Sequence, residues 1–360
     1  MNDLEQRLRR QAVQCRGNGS PLTGALLEGA AADLAAGGVV ADLLGRHADE
    51  PSGSVPSLRL AGSLHRLVLE RKAPELALHY ASVGGTAPAE DVWPAAERTI
   101  REHLDELRQL VTHPVQTNEV GRSAALYGAL QLLGGPVRLL EVGASAGLNL
   151  RCDKFAYDLG DGQVLGDPAS AVRLVRPWER PFPTARQPVE VLLRKGCDPK
   201  PIDPATTEGR LTLTSYVWGD QVDRLDRLRG ALQVAERVPA PVVCQGALEF
   251  LTRELADLPA GLTTVVWHSV VWQYVDPAER RAVDALMVRA GRNATDGARL
   301  ARVSLEPERM GDGDFTFRVY VQLWPHGDRV HVADALGHGP PVRWTGRGPG
   351  VVMIALTLGD

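Results

Sequence analysis

The chain has 360 residues, a formal net charge of −4 and a sequence pI of about 6.2. With 44% hydrophobic and 23% charged residues it can fill a large core and falls outside the disordered class. The slight acid excess leaves no electrostatic footprint for DNA or RNA, and no run of about 18 apolar residues is present for a membrane span. The opening MNDLEQRLRR is charged and amphipathic, unlike a secretory leader. Cys15, Cys152, Cys197 and Cys244 lie far apart, so no disulfide framework or zinc knuckle is expected and a reduced, cytoplasmic setting is.

Residues 1–113 read as helices. Leu4, Leu8 and Val13 fall near helical spacing; residues 22–44 are rich in Ala and Leu, with a break at Gly37-Gly38; residues 58–69 and 94–111 repeat the pattern. Residues 48–56 (ADEPSGSVP) and 83–88 (VGGTAP) read as loops. Next comes residues 114–126 (PVQTNEVGRSAAL), where Thr117 and Asn118 are good N-caps for a helix over 119–133.

Beyond residue 136 the pattern changes. Apolar runs at 137–142, 188–194, 242–244, 262–267 and 300–305 read as strands, with helix-like stretches at 219–236, 247–256 and 276–290 among them. This alternation predicts a mostly parallel sheet covered on both faces. Residues 315–324, 329–333 and 351–358 read as strands with short connections, which predicts an antiparallel C-terminal edge. Residues 151–187 contain DLGDGQVLGDP and RPWERPFP and read as a loop-rich insertion. The expected organisation is a helical N-terminal cap over 1–113 and an α/β domain over 114–360.

The words that carry chemistry sit at strand ends. Residues 139–150 read LLEVGASAGLNL. Gly143 and Gly147 bracket three small residues, Ala144, Ser145 and Ala146, so the backbone there can approach a ligand closely. Amides near Gly147 and Asn149 would face that ligand from a helix start, and Glu141 would accept hydrogen bonds from an ammonium or a water. The order apolar, apolar, acid, x, Gly, three residues, Gly resembles the first motif of class I S-adenosylmethionine (SAM) methyltransferases. That resemblance implies a Rossmann-like sheet. It makes Glu141, Gly143, Ala144, Ser145, Gly147 and Asn149 cofactor-binding residues. It also assigns Asp198, in KGCDP, to the ribose hydroxyls. About fifty residues separate Gly147 from Asp198 where roughly twenty would be usual, so Asp161 and Asp167 are rival ribose acids. CQGALE, after the third apolar run, stands where such enzymes often carry Gly-Asp-Ala; Gly246 and Ala247 match it and the aspartate is missing.

The fourth run ends TVVWHSVVWQYVDP, and strand-end residues there lie beside the transferred methyl group in that fold. His268 has an ordinary pKa suited to proton removal near neutrality and is the candidate catalytic base; a hydrogen-bonded residue holding a loop is the plainer reading. Ser269 and Tyr274, with Trp272 and Gln273, would line the pocket. Asn118, Glu119 and Arg122 would face it from the preceding helix, and Arg122, a cation near a helix N-terminus where the dipole disfavours it, is a candidate carboxylate clamp. His326, His331 and His338 have no metal-ligand spacing. Arg224, Arg227 and Arg229 interleave with Asp223 and Asp226 as on a solvated helix face. No GxSxG, HExxH or P-loop pattern occurs.

The words QTNEVGR, LEVGASAGLNL, GCDPKPID, VWGDQVDRLDRLRGAL, WHSVVWQYV and HGPPVRW together resemble a bacterial family catalogued only as a domain of unknown function, generally regarded as having a SAM-methyltransferase-like core. The resemblance implies that fold. The expected function is SAM-dependent methyl transfer to a small polar molecule, without a nucleic-acid or membrane partner. Reuse of the fold for ring closure or elimination, or as a non-catalytic subunit, are the alternatives, and the sequence leaves homo- and hetero-oligomers both open.

Overall fold

A computed structural model of the chain describes residues 3–179, 182–183, 188–311 and 315–347. It divides into two units, one comprising residues 1–117 and 206–226, the other residues 118–205 and 227–360.

The first unit is helical: α1 (Asp3–Gly17), α2 (Pro21–Ala35), α3 (Val39–Leu44), α4 (Pro56–Leu69), α5 (Pro74–Ala77), α6 (Val92–Glu102) and α7 (Leu104–Leu110). After α8 (Ser123–Leu133) in the second unit, the chain returns to the first for α9 (Thr207–Ser215). Leu4, Leu8, Leu26, Leu27, Leu60 and Leu64 are fully buried in one core. The expected boundary at 113 therefore misses a returning segment, and buried polar contacts explain why it belongs here. Asp220 accepts from Ser20 Oγ at 2.6 Å and from the Leu22 amide at 2.9 Å, capping α2. His65, buried on α4, bonds the Ser215 carbonyl and Ser82 Oγ. Arg224 is buried over the Trp218 ring rather than solvated.

The second unit holds α8, a sheet, α10 (Val222–Arg237, which begins in the first unit), α11 (Ala247–Glu254) and α12 (Pro277–Gly291). Its strands are β1 (Pro136–Val142), β2 (Ala156–Asp158), β3 (Val164–Gly166), β4 (Arg173–Val175), β5 (Trp178–Glu179), β6 (Glu190–Asp198), β7 (Val242–Cys244), β8 (Thr263–Ser269), β9 (Arg299–Arg309), β10 (Phe315–Trp324), β11 (Asp328–Leu336) and β12 (Gly339–Trp344). The large sheet runs β5-β12-β11-β10-β9-β8-β1-β6-β7. From β7 to β9 all neighbours are parallel, and β9 to β12 form antiparallel pairs, as the sequence pattern predicts. The strand expected over 351–358 lies outside the described residues.

Parallel strands covered on both faces need apolar side chains in both directions, which is why β1 and β8 read as nearly continuous runs. Leu140, Val142 and Val266 pack on α11 and α12 in one core cluster. Val137, Leu139, Val265 and Trp267, of opposite parity, are fully buried on the other face. Every residue of α8 is buried, the mark of a helix enclosed on all sides. The insertion is more ordered than its composition predicts: β3-β2-β4 make a small sheet of their own. Tyr157 on β2 anchors it, stacked 4.4 Å from Tyr127 of α8 and 5.5 Å from Trp178. Among the described residues no single helix is long and apolar enough to cross a membrane.

Candidate functional site

β6 and β7 continue outward on one side of β1, and β8 and β9 on the other. The carboxyl ends of β1 and β8 therefore flank the point where strand order reverses, the usual ligand position in an open α/β sheet.

The turn leaving β1 is left-handed at Gly143 (φ +69°), Ser145 (φ +52°) and Gly147 (φ +64°). Its amides face protein acceptors. Gly143 and Ala144 donate to the Cys197 carbonyl, Ser145 to Asp198 Oδ2 at 2.9 Å, Gly147 to the Ala144 carbonyl, and Leu148 to Asn118 Oδ1 at 2.8 Å. The expected helix start is instead a kinked 3₁₀ segment, Leu148–Lys154. Side chains fill the glycine faces. A Cβ on Gly143 would lie 2.3 Å from Val271 Cγ2, and one on Gly147 2.8 Å from Val242 Cγ2. Both glycines thus admit a valine where the sequence pattern suggested a ligand.

The other expected cofactor contacts are similarly engaged. Asp198 also accepts the Lys200 amide at 2.8 Å, so each of its oxygens already holds a backbone N–H. Gly246 and Ala247 start α11, whose Leu248 amide donates to Glu279 Oε1 at 3.1 Å, and the same oxygen lies 3.0 Å from where a Gly246 Cβ would be. Asp161 and Asp167 each accept an amide two residues on, as turn residues do. In this conformation Val271 and Val242 occupy the space beside Gly143 and Gly147, and Asp198 is committed to backbone amides.

Beside the turn the polar groups are less complete. Glu141 is 2% exposed, and burial lifts its carboxyl to about 8, with Arg151 the chief opposing influence. Its Oε2 completes no hydrogen bond. Trp267 stands opposite Glu141 in the parallel register. The indole N–H faces the Glu141 carboxyl and pulls its pKa back down, although the contact falls outside ordinary hydrogen-bond geometry. Ser123 Oγ, at the start of α8, and Asn149 Oδ1 are buried without partners too. Asn149 Nδ2 donates to the Glu119 carbonyl, which brings the 3₁₀ segment against the chain leading into α8. Buried polar atoms are rarely left unsatisfied, so each of these calls for an explanation such as water or a ligand. Arg151 is buried as well, donating to the carbonyls of Gly147 and Val238; burial lowers its pKa to about 10, so it stays charged.

His268 is 2% exposed and fully wired. Its Nδ1–H donates to Glu306 Oε1 at 2.7 Å, and its Nε2 accepts from Arg302 Nε at 3.2 Å. Burial lowers its pKa, so the ring is neutral near pH 7. With both nitrogens engaged it holds neighbouring groups in place, the plainer of the two sequence readings. The ring stacks 4.3 Å from Trp272, over which Arg302 lies at 4.8 Å. Val270, just beyond β8, has φ +52°. For a β-branched residue that costs about 1–3 kcal/mol.

Arg122 donates to the carbonyls of Gly337 and Ser269, which compensates its cation at a helix start. It is close enough to influence Glu141 and Tyr274, so it borders the same region. Glu119 accepts the Gly121 amide, a local cap. Tyr274 is half-exposed, and burial of its hydroxyl raises its pKa. Sequence reasoning thus placed Glu141, Asn149, Arg122, Ser269 and Tyr274 around one strand junction. It missed Trp267 as the residue facing Glu141, and Val271, Glu279 and Glu306 as the groups that close the crevice. Strand register could have pointed to Trp267; no local signal marks the rest.

A family model described as "Uncharacterized protein conserved in bacteria (DUF2332)" matches residues 5–344. No curated protein and no solved structure matches the chain. Matched over almost its whole length, the chain belongs to this DUF2332 family of bacterial proteins.

Proposed function

We propose that the protein is a methyltransferase-like transferase that binds SAM at the carboxyl ends of β1 and β8 and acts on a small polar molecule. The observation carrying this reading is Glu141, a buried carboxyl at the β1 end whose Oε2 completes no hydrogen bond. An ammonium brings three N–H donors and a positive charge, which is what a buried acid without a partner lacks. SAM carries such a group at its methionine end. The parallel strand order, with its reversal at β1, agrees with a ligand at this place. The nucleoside half finds no room while Val271 covers Gly143, so Val271 must leave first.

Titration calorimetry with SAM and S-adenosylhomocysteine at pH 7, in two buffers of different ionisation enthalpy, tests this. An ammonium at Glu141 drives off the proton that burial retains, so binding should release about one proton. Glu141→Gln should abolish that release. Absence of binding up to the millimolar range, or binding without proton release, rejects the assignment. The filled turn favours a second reading, the same fold used for ring closure or elimination without SAM. Absence of SAM binding together with turnover by cofactor-free protein would select it.

A further inference from the structure

We infer that residues 270–275 form a lid over the glycine turn, latched by the Glu306 carboxylate; this rests on the proposed ligand site and adds how it opens. The segment has a defined hinge and a defined stop. At its start, the Val270 amide donates to the Leu305 carbonyl while Val270 itself occupies the left-handed region. At its end, Asp276 caps α12 by accepting the Ala278 and Glu279 amides. Between them the backbone-to-backbone bonds are local turns, Tyr274 amide to Val271 carbonyl and Val275 amide to Trp272 carbonyl. Gln273 is exposed and Tyr274 half-exposed.

The segment is held down by the packing of Trp272 against the β1, α11 and α12 core and by a few specific contacts. Val271 seats its side chain on Gly143, the residue where a ligand would meet the turn. Trp272 stacks on His268 beneath the Arg302 guanidinium. Glu306 gathers three N–H donors at once: His268 Nδ1 at 2.7 Å and the Val271 and Trp272 amides at 3.3 Å each. The two amide bonds are long for N–H···O and therefore weak, whereas the histidine bond is short. Glu306 and His268 thus form a fixed catch from which the backbone of residues 271–272 can detach. A valine held in a conformation that suits glycine makes the closed form strained, so detachment relieves energy at the hinge. Lifting the segment uncovers Gly143 at the end of the strand that carries Glu141.

Hydrogen–deuterium exchange on the ligand-free protein tests this without reference to any ligand. Amides of 271–275 should exchange at least about 100-fold faster than those of β8, because local opening exposes the one set and global unfolding the other. Glu306→Ala should accelerate the segment a further tenfold or so. Val271→Ala, a milder change that preserves the fold, should accelerate it as well. Segment amides as slow as those of β8, or rates unchanged in both variants, overturn the lid. A fast segment in a protein that ignores SAM removes the cofactor assignment and leaves the lid standing.

Discussion

Replacing Glu141 by glutamine should flatten the fall in stability expected of the wild type between about pH 4.3 and about pH 8. Folding raises this carboxyl from about 4.3 in the unfolded chain to about 8. Between those values the folded chain holds one proton more than the unfolded chain, so each rise in pH removes stability. Below about 4.3 both states are protonated and the contribution is whole; above about 8 both are charged and it is gone. At 1.36 kcal/mol per pKa unit, the wild type loses roughly 3–5 kcal/mol across the window relative to the variant. Urea unfolding at a series of pH values measures the difference, in which other titrating groups cancel. Parallel profiles for the two proteins would mean that Arg151 keeps Glu141 ionised, and the neutral buried acid would be wrong. Glutamine is the right probe because it keeps the shape and cannot titrate.

Gly143→Ala should cost about 2–5 kcal/mol, and about half of that should disappear when Val271 is also alanine. Two independent terms add at this position. An L-residue at φ +69° carries roughly 1–2 kcal/mol of backbone strain. A Cβ placed 2.3 Å from Val271 Cγ2 adds an overpacking term of about 1–3 kcal/mol. Trimming Val271 removes its two methyls and relieves most of the second term, although its Cβ stays 3.0 Å from the added one, giving a coupling of roughly 1–2 kcal/mol in a double-mutant cycle. Chemical denaturation with an unchanged m-value reads it. An equal cost in both backgrounds would show that the valine does not seat on the glycine, and the closed crevice would lose its physical basis.

The two experiments bear on one relation. An acid that folding keeps neutral lies at the end of a strand whose turn is covered by a valine. In that state the site is complete in packing and incomplete in hydrogen bonding. Packing side chains satisfy the glycines, but no aliphatic side chain can satisfy Glu141 Oε2, Asn149 Oδ1 or the Trp267 indole.

The order of elements was legible because it rests on local chemistry. The runs at 137–142, 242–244 and 315–324 coincide with β1, β7 and β10 to within a residue, and 276–290 becomes α12. Periodicity and turn residues report those directly. The insertion was misjudged as loop because β2, β3 and β4 are three residues each, and their order comes from Tyr157 stacking on residues distant in sequence. The helical unit's second segment was missed because nothing local says that Asp220 will cap α2.

At the candidate site the division is sharper. The sequence alone determined that an acid would end the first strand and that a tight, small-residue turn would follow, since backbone geometry there permits little else. Whether that turn would face a ligand or a side chain was decided by tertiary structure. The answer depends on where β8 delivers Val271, on Glu306 reaching His268 from the next strand, and on which amides find protein acceptors first. These are meetings between residues far apart in the chain, and residue spacing carries no record of them.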